Sequence, residues 1–194
     1  IHYVRDNKET AFTQLRSRLD RFYQKVSGLL HLNVVRKSDF SADEAYDFDE
    51  SKIIIFTKEA MNGHTLLELL LKKYELQLEM AAGNYVLALA SVMDTDEGFD
   101  RLADALIEID SQLEKYKSDF EEFYDILKQE GVVHQFYFPV KMDTTIYQKL
   151  PAVMEMYDAY DAEHQAVYAF KASGKVSGAF INIYPPGITL VVPG

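Results

Sequence analysis

Five histidines, His2, His31, His64, His134 and His164, are the side chains best suited to bind a metal or move a proton near neutral pH. Their spacing supports neither role, because no two share a helix-face interval and no HExxH occurs. They read as unrelated surface or half-buried residues, and no metal ligand or catalytic residue is assigned. Carboxylates are abundant. Asp94, Asp96 and Glu97, like Asp158, Asp161 and Glu163, read as helix caps and solvated faces, since an unpaired buried carboxylate is costly. Glu79, beside the Ala82-Gly83-Asn84 turn, is the one expected to be buried. No serine lies in a GxSxG elbow, so a serine nucleophile has no support. There is no GxGxxG and no GxxxxGK[ST]. Asn62-Gly63-His64-Thr65 puts a glycine at a helix start, where free N–H groups hold anions; the plainer reading, a helix cap, is adopted. Tyr184-Pro185-Pro186-Gly187 is chemically peculiar: two prolines remove two donors and fix φ twice, and Pro186-Gly187 suits a type II turn. Such a loop serves as a pocket wall or as a rigid turn, and the residues alone do not choose.

Composition bounds what these residues can serve. The chain has 194 residues, 48% hydrophobic and 26% charged, with a formal net charge of -11. That charge repels phosphate backbones and anionic lipid, so neither nucleic acid nor a membrane is expected as a partner. With no cysteine, disulfides, thiolate catalysis and cysteine-zinc sites are excluded, which fits a reducing compartment. Apolar runs are short (66–71 is interrupted by Glu68), and no leader peptide opens the chain. Ile1 is not an initiator methionine, and Gly194 follows an apolar strand-like run directly, so the chain reads as a fragment. Of its 13 tyrosines and 12 phenylalanines, Phe12, Phe22 and Phe99 follow helical periodicity and read as core. Tyr157 and Tyr160, in an acidic run, read as interface candidates.

The elements that must position these residues follow from periodicity. Asp6 and Glu9 form a capping box for a first helix carrying Phe12, Leu15, Leu19, Phe22 and Val26, stopped by Gly28. Leu30, Leu32 and Val34 alternate with polar residues as a half-buried strand. Residues 53–56 are a continuous apolar run, suited to a strand covered on both faces. Asn62 opens a leucine-rich helix ending near Lys72, Lys73 and Tyr74. Residues 76–80 and 85–92 read as strands joined by the glycine turn. Asp94 and Glu97 then cap a long amphipathic helix running from Phe99 to Gly131, with Ser118 its weakest point. Beyond it, 135–138 and 175–184 read as strands, 157–172 as helix and 188–192 as a last strand. This is a layered α/β domain with an appendage, its boundary expected between Lys128 and Pro139.

A resemblance adds to this reading. Tyr184-Pro185-Pro186-Gly187-Ile188 with Val192-Pro193-Gly194 is similar to the terminal signature YPPGIPLLVPGE of the ornithine/lysine/arginine decarboxylases. Leu76-Gln77-Leu78-Glu79-Met80-Ala81, then 84–89 and Asp94-Thr95, resembles that family's IQxEMAD…NVLAIxSxGDT pattern, and residues 175–179 resemble its GRISAE approach. Asn62-Gly63-His64-Thr65-Leu66 falls where the family has a Gly-x-x-Leu helix start. Thr189 stands in place of the usual proline, Ala82-Gly83 in place of Asp-Leu, and Lys175 in place of arginine. No lysine lies in Ser-x-His-Lys, the family's cofactor-attachment motif.

The resemblance implies an α/β (α+β) fold of the type I aminotransferase kind. Residues 1–131 would be its small domain, with an entering helix, a mixed sheet and helices. Residues 132–194 would be a truncated carboxy-terminal α/β domain. It also implies a parent enzyme that uses pyridoxal phosphate to release CO2 from arginine, lysine or ornithine, giving a polyamine-type amine. That parent would be a cytoplasmic homodimer or higher homo-oligomer. Tyr184, Pro185, Pro186, Gly187 and Glu79 would wall its substrate pocket. No cofactor and no activity is expected of this chain by itself. Two other readings stay open: a stand-alone non-catalytic α/β ligand-binding module, and an oligomerisation or partner-binding domain built on the tyrosine-rich stretch 147–168.

Overall fold

The computed structural model describes residues 2–41, 43, 45–132, 150–183 and 187–194. It divides into two compact units, Ile1–Lys141 and Met142–Gly194.

In the first unit, helix α1 (His2–Lys25) starts earlier than the capping box predicts. Asp6 does not open it but pairs with Arg5 at 2.8 Å. The break lies at Asn7 (φ -124°, ψ 17°), whose side-chain amide donates to the Tyr3 carbonyl at 3.0 Å, where the helical N–H would otherwise bond. The buried stripe is Ala11, Leu15, Leu19, Phe22 and Val26, while Phe12 is exposed. Positions 11 and 12 are one helical step apart, and the smaller residue takes the crowded side.

Four strands, β1 (Asn33–Val34), β2 (Lys52–Phe56), β3 (Met80–Ala82) and β4 (Tyr85–Leu89), form one sheet in the order β1-β2-β4-β3. The α/β (α+β) class holds; within it every pairing among described strands is antiparallel, where a mixed sheet is expected from the resemblance. Ile53 and Ile55 on β2 meet Ala88 and Val86 on β4, all buried on one face. Ile54, Phe56, Tyr85 and Leu87 on the other face are only half-buried. The run 53–56 is therefore covered on one face, not two. Leu30 is exposed and the strand shrinks to Asn33–Val34, for a reason that emerges at Asp110.

Helix α2 (Gly63–Tyr74) is capped as expected, the Asn62 side chain accepting from the His64 N–H at 2.8 Å. It lies against β3 and β4. The β3–β4 turn is Gly83-Asn84, with Gly83 at φ 53°. The expected long helix is two, α3 (Asp96–Lys115) and α4 (Phe120–Gln129). Thr95, not Asp94, caps α3 by accepting from Gly98 N–H at 3.1 Å, and Asp94 accepts from Ser91 N–H instead. Asp119 begins α4 by accepting from Glu122 N–H, which breaks the run one residue past Ser118. One core joins α1, the sheet, α2, α3 and α4, and α1 packs on α3.

Burial makes this unit alkali-sensitive. Desolvation, aided by Glu50, pushes the Tyr23 phenol up to about 12. Burial likewise raises Tyr74 and Tyr124. A raised acid is held neutral in the fold, so stability is intact below the ordinary tyrosine range near ~10 and falls as pH rises through the folded value. The last tyrosines to ionise should therefore do so together with the loss of helical circular dichroism, above pH ~10. Ionisation of all the tyrosines near their ordinary value, with the helical signal intact, would contradict this.

The second unit holds helix α5 (Met156–Asp161), a 3-10 turn (Ala169–Lys171) and a hairpin of β5 (Ile181–Ile183) and β6 (Ile188–Val191). The helix expected over 157–172 is thus one short helix and a turn. The strand expected over 175–184 is confined, among described residues, to Ile181–Ile183. Gly178 leaves no room for a Cβ against the His164 ring, whose Nε2 lies 2.8 Å from the Ala159 carbonyl. Gly194 donates its N–H to Ser177 O and accepts from Val153 N–H at 2.7 Å. The strand expected over 135–138 lies outside the described residues.

Candidate functional site

The residues singled out for a pocket wall divide between the units. Tyr184, Pro185 and Pro186 lie outside the described residues. Gly187, in the second unit, has φ 98°, a conformation that glycine alone adopts readily and that the turn chemistry anticipates. On β6, Thr189 donates its hydroxyl to Asn182 Oδ1 at 2.7 Å, a bond the family's proline could not make.

Glu79 belongs to the first unit and is exposed, which corrects the expectation of burial. Its N–H donates to Leu87 O at 2.9 Å, and the strand ladder ends there, so the side chain stands at the mouth of the sheet. An open hollow of about 350 Å³ is lined by Gln77, Leu78, Glu79, Ala88 and Leu89. Among the described residues nothing donates to the Glu79 carboxylate.

A second hollow of about 460 Å³ lies by the end of α1, with Asp20, Tyr23, Arg36, Lys37 and Glu50 in its wall. Its two cations are already engaged. The Arg36 guanidinium donates to the Tyr23 carbonyl and stands 5.8 Å over the Tyr23 ring, and Lys37 faces Asp47 at 3.8 Å. Nearby, bonds from Ser51, then Lys52, hold the Asp49 carboxyl at about 2.

The buried carboxylate that sequence reasoning missed is Asp110, on α3. Its oxygens accept from the N–H groups of Leu30 at 2.9 Å, His31 at 2.8 Å and Leu32 at 2.8 Å. These three donors bond to a side chain and not to a neighbouring strand, which is why β1 is short. One turn on, Glu114 lies 2.7 Å from His31 Nε2, and Lys117 before His31 holds the Glu114 carboxyl below its ordinary range. The aspartate sits in an ordinary amphipathic helix, so only the tertiary fold reveals its partners.

Pyridoxal phosphate would need a lysine for its aldehyde and free N–H donors for its phosphate. The α2 terminus cannot serve: Gly63 N–H donates to Gly83 O at 2.8 Å, and His64 N–H to Asn62. At α3, Asp96 and Glu97 occupy the first turn and oppose an anion. Among the described residues, neither of these two helix starts fits the cofactor's phosphate. The described residues contain neither a group of three or more side chains placed to hold a metal nor a helix long and apolar enough to cross a membrane.

No family model matches the chain. Curated relatives do. It is 26% identical to an arginine decarboxylase of Bacillus subtilis (strain 168) over 77% of this chain and 27% of the relative. It is 25% identical to one of Bacillus anthracis, covering 87% and 31% respectively. With one of Halalkalibacterium halodurans it shares 27% identity over 90% and 32%. The chain thus spans about a third or less of the length of these relatives. A solved structure of the constitutive lysine decarboxylase of E. coli superposes with a TM-score of 0.58 at 15% identity, covering 98% of this chain and 34% of that one. At that identity the likeness is one of fold. The resemblance to the ornithine/lysine/arginine decarboxylases holds over most of the chain.

Proposed function

We propose that these residues are the small domain (1–131) and carboxy-terminal domain (132–194) of a pyridoxal-phosphate-dependent decarboxylase acting on arginine, lysine or ornithine. One observation carries the reading: the chain aligns over most of its own length with proteins named arginine decarboxylase, yet with only about a third of theirs. No lysine stands in a Ser-x-His-Lys motif, so the attachment lysine would lie elsewhere in a longer protein. Tyr184, Pro185, Pro186, Gly187 and Glu79 would wall the substrate pocket, and the chain's part is to orient substrate and exclude water. The parent is read as a cytoplasmic homodimer or higher homo-oligomer. The exposed rings of Tyr157, Tyr160, Tyr168 and Phe170 favour a second reading, an assembly or partner-binding module without catalysis.

Mixed with pyridoxal phosphate, this chain should give no dialysis-stable yellow complex near about 420 nm and release no CO2 from any of the three amino acids. Decarboxylation should arise only in a protein that also carries the attachment lysine. A stable yellow complex of this chain alone would overturn the reading.

A further inference from the structure

Asn62-Gly63 is the only Asn-Gly pair among the five asparagines of the sequence; Asn7, Asn33, Asn84 and Asn182 precede Lys8, Val34, Tyr85 and Ile183. The pair carries its own chemistry. A backbone nitrogen can attack the side-chain amide of the asparagine before it, and glycine, having no Cβ, obstructs that approach least. The fold nevertheless demands the pair. Position 62 must offer an oxygen to the His64 N–H, which Asn62 Oδ1 accepts at 2.8 Å. Position 63 must lack a Cβ, which would lie 3.0 Å from Tyr85 N and closer still to Tyr85 O.

In the closed structure the reaction is blocked. Asn62 is 3% exposed, so water and hydroxide are kept from it. The Gly63 N–H donates to Gly83 O at 2.8 Å, so the attacking nitrogen keeps its proton. Asn62 Oδ1 is turned toward the His64 N–H, which holds the side-chain amide in place. The junction also has a weak point. Thr65 Oγ1 on α2 and Asn84 Oδ1 on the β3–β4 turn are buried without a hydrogen-bond partner among the described residues. Unpaired buried polar atoms regain water when the junction parts, which lowers the cost of opening it.

We propose that Asn62 is a self-modification site, gated by separation of the start of α2 from the β3–β4 turn. Once the Gly63 N–H is released, hydroxide takes its proton and the nitrogen attacks Asn62 Cγ. The N–Cγ bond forms, the Cγ–Nδ2 bond breaks and ammonia leaves, giving a cyclic imide. Water opens the imide at either carbonyl, to aspartate or to isoaspartate, with no change in oxidation state. Aspartate keeps an oxygen for the His64 N–H and is as good a cap as asparagine. Isoaspartate runs the main chain through Cβ. It adds one methylene between Met61 and Gly63, where the approach of Gly63 to Tyr85 leaves no slack. The modification therefore records opening and, in the isoaspartyl chain, prevents reclosure.

The test ages the full chain in mildly alkaline buffer and follows each asparagine by peptide mass mapping with detection of isoaspartate. A synthetic peptide of residues 58–68 supplies the unprotected rate. The folded chain should convert at Asn62 about a thousandfold more slowly than the peptide. In urea that unfolds the first unit, Asn62 should convert at the peptide's rate and ahead of the other asparagines. Hydrogen exchange of the Gly63 amide measures opening independently, and the two protection factors should agree within about tenfold. Conversion of the folded chain at the peptide's rate, or a wider disagreement between the two factors, would overturn the proposal. Asn62→Asp should keep Gly63 exchange slow, whereas the purified isoaspartyl chain should lose that protection. An isoaspartyl chain as protected as the unmodified one refutes the loss of closure.

Discussion

Gly63→Ala is expected to destabilise the first unit by about 3 kcal/mol or more. A Cβ at this position would lie 3.0 Å from Tyr85 N and closer still to Tyr85 O. The obstacle is backbone, at the first residue of a strand paired on both sides, and cannot rotate away. The same residue donates to Gly83 O, so α2 and the β3–β4 turn are pressed together at a point where only hydrogen fits. Urea denaturation should show the midpoint falling accordingly. Gly98→Ala supplies the contrast. There the new methyl meets only the Thr95 hydroxyl, at 3.6 Å, within a helix, and alanine should raise stability by roughly 0.5–1 kcal/mol. Equal effects at the two positions would show that close approach is not what demands glycine at 63.

Asp110→Ala should cost about 3–5 kcal/mol. Three N–H groups lose an ionised acceptor at once, and such bonds contribute more than neutral ones. Asp110→Asn should recover only part of the loss, because its amide nitrogen brings a donor to a place already filled with donors. Amide exchange distinguishes this account from simple cavity formation. The Leu32 N–H, which donates to Asp110 in the buried interior, should exchange orders of magnitude faster in both variants, while the amides of α2 keep their relative order. Persistence of slow exchange at Leu32 in the alanine variant would mean that some other acceptor holds the loop.

What could be read from residues alone divides by distance along the chain. The Asn62 cap, the Gly83-Asn84 turn, the positive φ of Gly187 and the buried stripe of α3 are decided within a few residues, and they follow from local chemistry. The missed features join distant segments. Asp110 reaches residues about eighty positions earlier, which no periodicity encodes. Residues 53–56 look covered on both sides because hydropathy reports what a strand tolerates, and not what reaches it. The strand pattern places Glu79 inside, but β3 begins one residue later, and the end of a strand opens to water. The final proline-glycine motif carried the resemblance, although three of its residues lie outside the described ones.

The second unit keeps little hydrocarbon from water. Among its described residues only Ala159 and Pro193 are buried, while Leu150, Val153, Tyr157, Tyr160, Tyr168 and Phe170 already face solvent. Disrupting such a unit wets little new hydrocarbon, and the increment in heat capacity on melting scales with hydrocarbon newly wetted. A calorimeter should thus register mainly the first unit, with a heat-capacity increment smaller than the chain's mass suggests.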